Sequence, residues 1–263
     1  MDSCFGACRT GMAKRMLRNV AAYGALLWTG MLSASALAQI EPPVTLHYIQ
    51  RPPYMTPSGN SLTGLTGGPS FQAFKNAKIP FVIAETPFAR QLHMLEKNSG
   101  RDCMIGMFKK PEREVFAKFT DPIYKDQPQI ILTAAANAPR FAKASSVTDL
   151  FADESIILLV KLGYSYGVAL DKLIAQHQPR ARTTTDENLL MIKSIKLRTT
   201  DYMLIAPEEA AIAITAAGFS EKDFAQIKFN NMPDGEYRQI MCSKNVPDEL
   251  INKLNAAITF EKR

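Results

Sequence analysis

Past residue 38 the chain keeps repeating one pattern: a short apolar run, a polar or Gly/Pro break, then a segment with helical apolar spacing. Apolar strands alternating with helices predict an α/β fold with largely parallel sheets. The runs "VTLHYI", "PFVIAE", "DCMIGM", "QIILTAA", "SIILLV", "DYMLIA", "QIKFNN" and "YRQIMCS" read as strands. "SFQAFKNA", "PFARQLHMLEKN", "SSVTDLFA", "VALDKLIAQH", "PEEAAIAITAAG" and "DELINKLNAAI" read as helices, with Pro69 near the start of the first and Ser145 or Ser146 capping the third. The pattern starts afresh at "QIILTAA", which points to two consecutive α/β units.

The segment before this pattern is of another kind. Lys14, Arg15 and Arg18 precede the apolar stretch "NVAAYGALLWTGMLSA", and "ALA" at Ala36–Ala38 places small residues where a signal peptidase cuts. Residues 1–38 therefore read as a signal peptide cleaved near Ala38, with Met12 or Met16 as alternative starts. Losing Asp2, Arg9, Lys14, Arg15 and Arg18 takes the net charge from +6 to +3. What remains has no basic block suited to nucleic acid and no second apolar run long enough to span a membrane. It keeps two cysteines, Cys103 and Cys242, in separate strands; an exported chain can join them, but the spacing does not demand it.

The stretch "LGYSYG", between a strand and a helix, has the G-x-S-x-G form of a nucleophile elbow centred on Ser165. Such an elbow needs a later histidine, and only His177 follows. His177 lies on the helix the turn opens, about 18 Å away at about 1.5 Å per residue, out of reach of the hydroxyl. The same turn suits another task. Gly163 and Gly167 permit tight backbone, the helix start favours a carboxylate, Ser165 adds a hydroxyl, and Tyr164 and Tyr166 supply walls. No His/Cys/Asp/Glu grouping has metal-ligand spacing, and no cofactor motif is present.

The run "PFARQLHMLEKNSGRDCMIGMFKKPEREVFAKFTDPIYKDQPQIIL" resembles the bacterial extracellular solute-binding proteins of family 3, periplasmic receptors of polar amino acid uptake systems. The matching pieces are Phe88 and Arg90 on a helix, Gly100 and Asp102 before a strand, Pro111–Arg113, and Phe119–Tyr124; the likeness continues through residues 44–258. The resemblance implies a two-lobe periplasmic binding protein (type II) fold, with the ligand cleft between lobes joined by two hinge strands. Lobe 1 would comprise residues 39–129 and 243–263, lobe 2 residues 130–242, with "QIILTA" and "YRQIMC" as crossings.

It also implies a monomeric periplasmic receptor that passes a small solute to the membrane permease of an ABC transporter, without catalysis. Arg113 matches the arginine that grips the solute's carboxylate, a task suited to its planar, permanently charged fork. Tyr54 lines the cleft or packs beneath it, Phe108 supplies an apolar wall, and Arg51 stands where some relatives stack a tyrosine. Arg90 is expected to be structural. Two departures stand out. Pro207 occupies the position of the ammonium-binding aspartate, leaving Glu208 as substitute, and "GGPSFQAF" replaces the family's first-lobe pattern. The solute is therefore expected to be a small carboxylate or amino-acid-like molecule. The fold also hosts cyclohexadienyl dehydratases, in which Glu208 or Glu209 would be the general acid.

Overall fold

The computed structural model describes residues 42–260; the expected leader and the alternative starts lie outside them. The first unit runs through β1 (Val44–Tyr48), a hairpin of β2 (Thr56–Ser58) and β3 (Ser61–Thr63), α1 (Gly67–Asn76), β4 (Phe81–Glu85), α2 (Phe88–Lys97), β5 (Asp102–Phe108), the single turn α3 (Pro111–Glu114) and β6 (Ala117–Lys125). The second unit comprises β7 (Ile130–Ala134), a 3₁₀ segment (Ala135–Phe141), α4 (Val147–Ala152), β8 (Leu158–Lys161), α5 (Val168–His177), β9 (Ala181–Thr184), α6 (Asn188–Lys196), β10 (Tyr202–Ile205), α7 (Pro207–Ala216) and β11 (Phe224–Ile227). The chain then forms β12 (Tyr237–Ser243) and α8 (Asp248–Ala257).

Two five-stranded sheets result, ordered β4-β1-β5-β12-β6 and β11-β7-β10-β8-β9. In the first, β4, β1 and β5 are parallel and β12 is antiparallel to both β5 and β6. In the second, β10, β8 and β9 are parallel and β7 is antiparallel to β10 and β11. Burial on both faces explains the unbroken apolar runs. Along β7, Ile130 and Leu132 pack with Ile192 and Ile214 on one side, while Ile131 packs with Phe151 and Tyr202 on the other. The first sheet packs Leu46, Phe74, Ile240 and Leu254 into one core. Ser146 caps α4, its hydroxyl accepting from the Asp149 amide.

Two expectations are corrected. Neither "QIILTA" nor "YRQIMC" is a crossing: β7 lies within the second sheet and β12 between β5 and β6, so the two connections fall within residues 126–129 and 228–236. An apolar strand reads the same whichever sheet receives it; only its pairing decides. "TDPIYK" forms the end of β6, where Pro122 opposes Gln239 at a register shift on the edge strand, a position that needs no amide donor. Finally, α1 begins at Gly67, two residues ahead of Pro69.

Cys103 and Cys242 face each other across β5 and β12 and are joined in a disulfide. Both are fully buried, and the bond closes a loop with a sequence separation of 139. Because it restricts the unfolded chain, losing such a bridge typically costs about 2–4 kcal/mol. The double substitution Cys103→Ala with Cys242→Ala is expected to lower the urea midpoint by a corresponding amount; an unchanged midpoint would show the bridge to be thermodynamically idle.

Candidate functional site

The two sheets meet along a cleft whose floor is a buried ion pair. Arg238 projects from β12, and its Nε and Nη2 each donate at 2.6 Å to Oδ1 and Oδ2 of Asp126, one residue past β6. Its Nη1 donates to the Gly106 carbonyl at 2.9 Å, and its guanidinium lies 4.4 Å from the Tyr54 ring centre and 4.6 Å from that of Phe108. Burial, the largest single effect, works against this charge, but Asp126 together with the Tyr164 and Tyr54 phenols more than offsets it and the Arg238 pKa is raised. The Tyr54 hydroxyl donates to Asp126 Oδ1 at 3.2 Å. Tyr54 therefore both carries the arginine and borders the cavity above it.

Arg113 enters through α3, where Pro111 occupies the first helical turn without losing a needed donor. Its Nη1 donates to the Phe108 carbonyl at 3.0 Å and its Nη2 to the Gly163 carbonyl at 3.0 Å, so it touches both sheets' units. Both bonds go to backbone carbonyls, not to a carboxylate. At 6% exposure this leaves a cation short of charge compensation, and desolvation lowers its pKa while more distant Asp171 opposes the shift.

The turn "LGYSYG" is built differently from the expected anion cradle. Gly163 and Gly167 have φ of +72° and +104°, and a Cβ on Gly167 would come within 2.5 Å of Glu236 Cγ. Ser165 Oγ donates to Asp171 Oδ2 at 2.6 Å, and the Tyr166 amide to Asp171 Oδ1 at 2.8 Å. The Val168 amide donates to Glu236 Oε1 at 3.1 Å. The donors at this helix start are thus already matched by two of the chain's own carboxylates, as the dipole there favours. Lys110 completes the arrangement, donating to Asp171 Oδ2 at 2.7 Å. The turn meets Arg113 through the Gly163 carbonyl and does not share a carboxylate with it. No histidine adjoins Ser165: His47 is buried between Thr86 and Asp102 at 2.9 Å from each, away from the cavity lining.

A cavity of about 30 Å³ lies between these groups, lined by Arg51, Tyr54, Phe88, Phe108, Arg113, Tyr164, Ser165 and Arg238 among others. That is room for one or two waters. The buried Tyr164 hydroxyl has no hydrogen-bond partner among the described residues. Of the residues expected at the site, Gly163 contributes its carbonyl and Tyr166 turns into the second unit's core, while Glu208 stands apart. Glu208 faces the crossing, accepting from the Tyr124 hydroxyl and the Gln127 amide at 3.1 Å each. Its helix neighbour Glu209, one helical step around α7, points into the cleft and takes the Arg51 fork: Nε to Oε1 at 2.8 Å and Nη2 to Oε2 at 2.6 Å.

Arg238, Asp126 and the pairing of Glu209 with Arg51 were not apparent from the sequence. A charged residue inside the apolar strand "YRQIMC" was the available signal, because such a charge is buried only with a partner.

No family model and no curated protein matches the sequence. Solved structures do resemble it. The substrate binding protein of an amino acid ABC transporter superimposes with a TM-score of 0.62 at 15% identity, over 82% of this chain and 91% of that one. The arginine-, lysine-, histidine-binding protein ArtJ from Geobacillus stearothermophilus gives 0.64 at 15%, over 82% and 88%. The ancestral amino acid-binding protein AncCDT-1, a precursor of cyclohexadienyl dehydratase, gives 0.59 at 20%, again over 82% and 88%. The fold is that of the two-lobe periplasmic binding proteins. At these identities the likeness concerns the fold, and the two sheets described above are its two lobes.

Two outcomes follow from the buried charges and phenols. Asp126→Asn strands the Arg238 guanidinium and is expected to destabilise the protein by about 3–5 kcal/mol in urea unfolding. Burial, the largest cause, raises the pKa of Tyr54, Tyr166 and Tyr202, and with help from Glu208 pushes Tyr124 up to about 12. A raised folded pKa means stability that is complete below the ordinary phenol value of 10.0 and is lost as pH climbs above it. Phenolate absorbance from these tyrosines should therefore rise with unfolding above pH 10; full titration of all tyrosines near that value in a folded protein would contradict the burial described.

Proposed function

We propose that this protein is an exported solute-binding receptor for a small carboxylate or amino-acid-like ligand, which it delivers to the permease of an ABC-type importer by cleft closure. The observation that carries the reading is Arg113: a buried guanidinium at the meeting of two lobes, bonded only to carbonyls, beside the unpartnered Tyr164 hydroxyl. A carboxylate there would satisfy both, since a guanidinium fork and a phenol are matched donors for two carboxylate oxygens. The named functions of the similar structures, amino acid binding in ABC transport, point the same way.

In this reading the leader is removed near Ala38, the mature protein acts in the periplasm as a monomer, and the lobes move about residues 126–129 and 228–236. Closure is favoured by whatever a solute binds better in the closed form. Arg113 and Tyr164 supply that difference, because they come together only when the lobes meet. The cavity must widen to admit a solute, and the contacts that would yield are Arg113 to Gly163 and the ring packing of Tyr164 on Phe88, 5.6 Å between centres. The likeness to a dehydratase precursor points to the other reading, but both acid candidates are engaged: Glu208 serves the crossing and Glu209 is held by Arg51 and Asn188.

A thermal-shift screen of residues 39–263 against small monocarboxylates, dicarboxylates and amino acids is expected to find a stabilising ligand whose effect disappears in Arg113→Ala. Silence across the screen would count against a receptor, and a shift that survives Arg113→Ala would remove Arg113 from the site.

A further inference from the structure

The carboxylate of Glu209 is 1% exposed and receives three donors: Nε and Nη2 of Arg51 and, at 2.7 Å, Nδ2 of Asn188. Glu209 and Asn188 belong to the second lobe, whereas Arg51 follows β1 in the first. The Arg51 guanidinium also lies 4.8 Å from the ring centre of Tyr54 and 5.4 Å from that of Tyr164. A carboxylate fork, an amide and two aromatic faces are the groups by which proteins recognise an alkylguanidinium. Here the chain provides that cation itself.

A second cavity, of about 200 Å³, opens on the same ion pair and is walled by Pro52, Leu189, Ile212 and Ala213. The pocket that holds the Arg51 head group is therefore also approached by an apolar space large enough for a short alkyl tail. Charge bookkeeping in the cleft then falls out simply. Arg238 is matched by Asp126 and Arg51 by Glu209, leaving Arg113 as the cation without an acidic partner in hydrogen-bond contact.

We propose that Arg51 is a tethered occupant of a guanidinium subsite formed by Glu209, Asn188, Tyr54 and Tyr164, and that by filling it Arg51 makes the cleft refuse cationic solutes and select small anions. The selectivity half rests on the reading of the cleft as a solute site; the occupancy of the subsite does not. A free ammonium or guanidinium group has no carboxylate to reach in this cleft unless it displaces an intramolecular partner, which carries no translational cost of its own.

The test is replacement of the tether. In Arg51→Ala, ethylguanidinium at about ten times its dissociation constant should raise the melting temperature by about 3–5 °C. Ethylammonium should do so less well, and wild type and the Arg51→Ala, Glu209→Gln double variant should not respond. Absence of a shift in Arg51→Ala, or an equal shift in the double variant, overturns the assignment. If Arg51→Ala does not fold alone, refolding is carried out with ethylguanidinium present: recovery that fails in the double variant supports the assignment, and no recovery overturns it. A wild type inert to every carboxylate while Arg51→Ala takes ethylguanidinium counts against the receptor and keeps the subsite. Carboxylate binding by wild type without any guanidinium response in Arg51→Ala does the reverse.

Discussion

Where the chain leaves the first sheet for the second, it is held by one guanidinium. Arg238 grips Asp126 with two donors, takes the Gly106 carbonyl with a third, and fills the gap between the faces of Tyr54 and Phe108. Asp126 stands at the start of one crossing and Arg238 just after the end of the other, so a single ion pair fixes both chain connections relative to β5. Everything above it inherits that position. Tyr54 is oriented by its bond to Asp126 and its ring then also meets Arg51; Phe108 is fixed and its carbonyl then receives Arg113. Desolvating two charges is costly, and the pair survives because the aspartate oxygens and all three guanidinium nitrogens are matched.

Much of the architecture could be read from the sequence because it is local. Unbroken apolar runs bounded by Gly, Pro and Asp, alternating with helical spacing, leave few folds other than paired α/β units. What escaped was non-local. The sheet that β12 joins depends on pairing with β5 and β6, and its own run of apolar residues carries no mark of it. The Arg238–Asp126 pair spans 112 positions, and the apolar strand around Arg238 hid the value of its one charge.

The site was legible in outline and wrong in its bonding. Arg113 and Tyr54 border the cavity, as does Tyr164, but the turn's hydrogen bonds go inward. Asp171, four residues beyond Gly167 in the first turn of the helix the turn opens, could have warned of this, since the positive end of a helix favours a carboxylate there. The contrast between Glu208 and Glu209 is a matter of one residue on a helix, about 100° of rotation, which a likeness of motif does not resolve. One of them secures a crossing and the other enters the cleft.

The placement of β12 also bears on the order in which the protein can assemble. The second sheet takes all its strands from one continuous stretch, β7 to β11, and has nothing to wait for. The first sheet has an internal gap until the last strand arrives, because β12 inserts between β5 and β6 after the whole second lobe has been made. Until then β6 has no neighbouring strand, Arg238 has not met Asp126, and Cys103 has not met Cys242. The first sheet is thus closed only by β12, and a chain stopped short of it would lack the strand that joins β5 to β6.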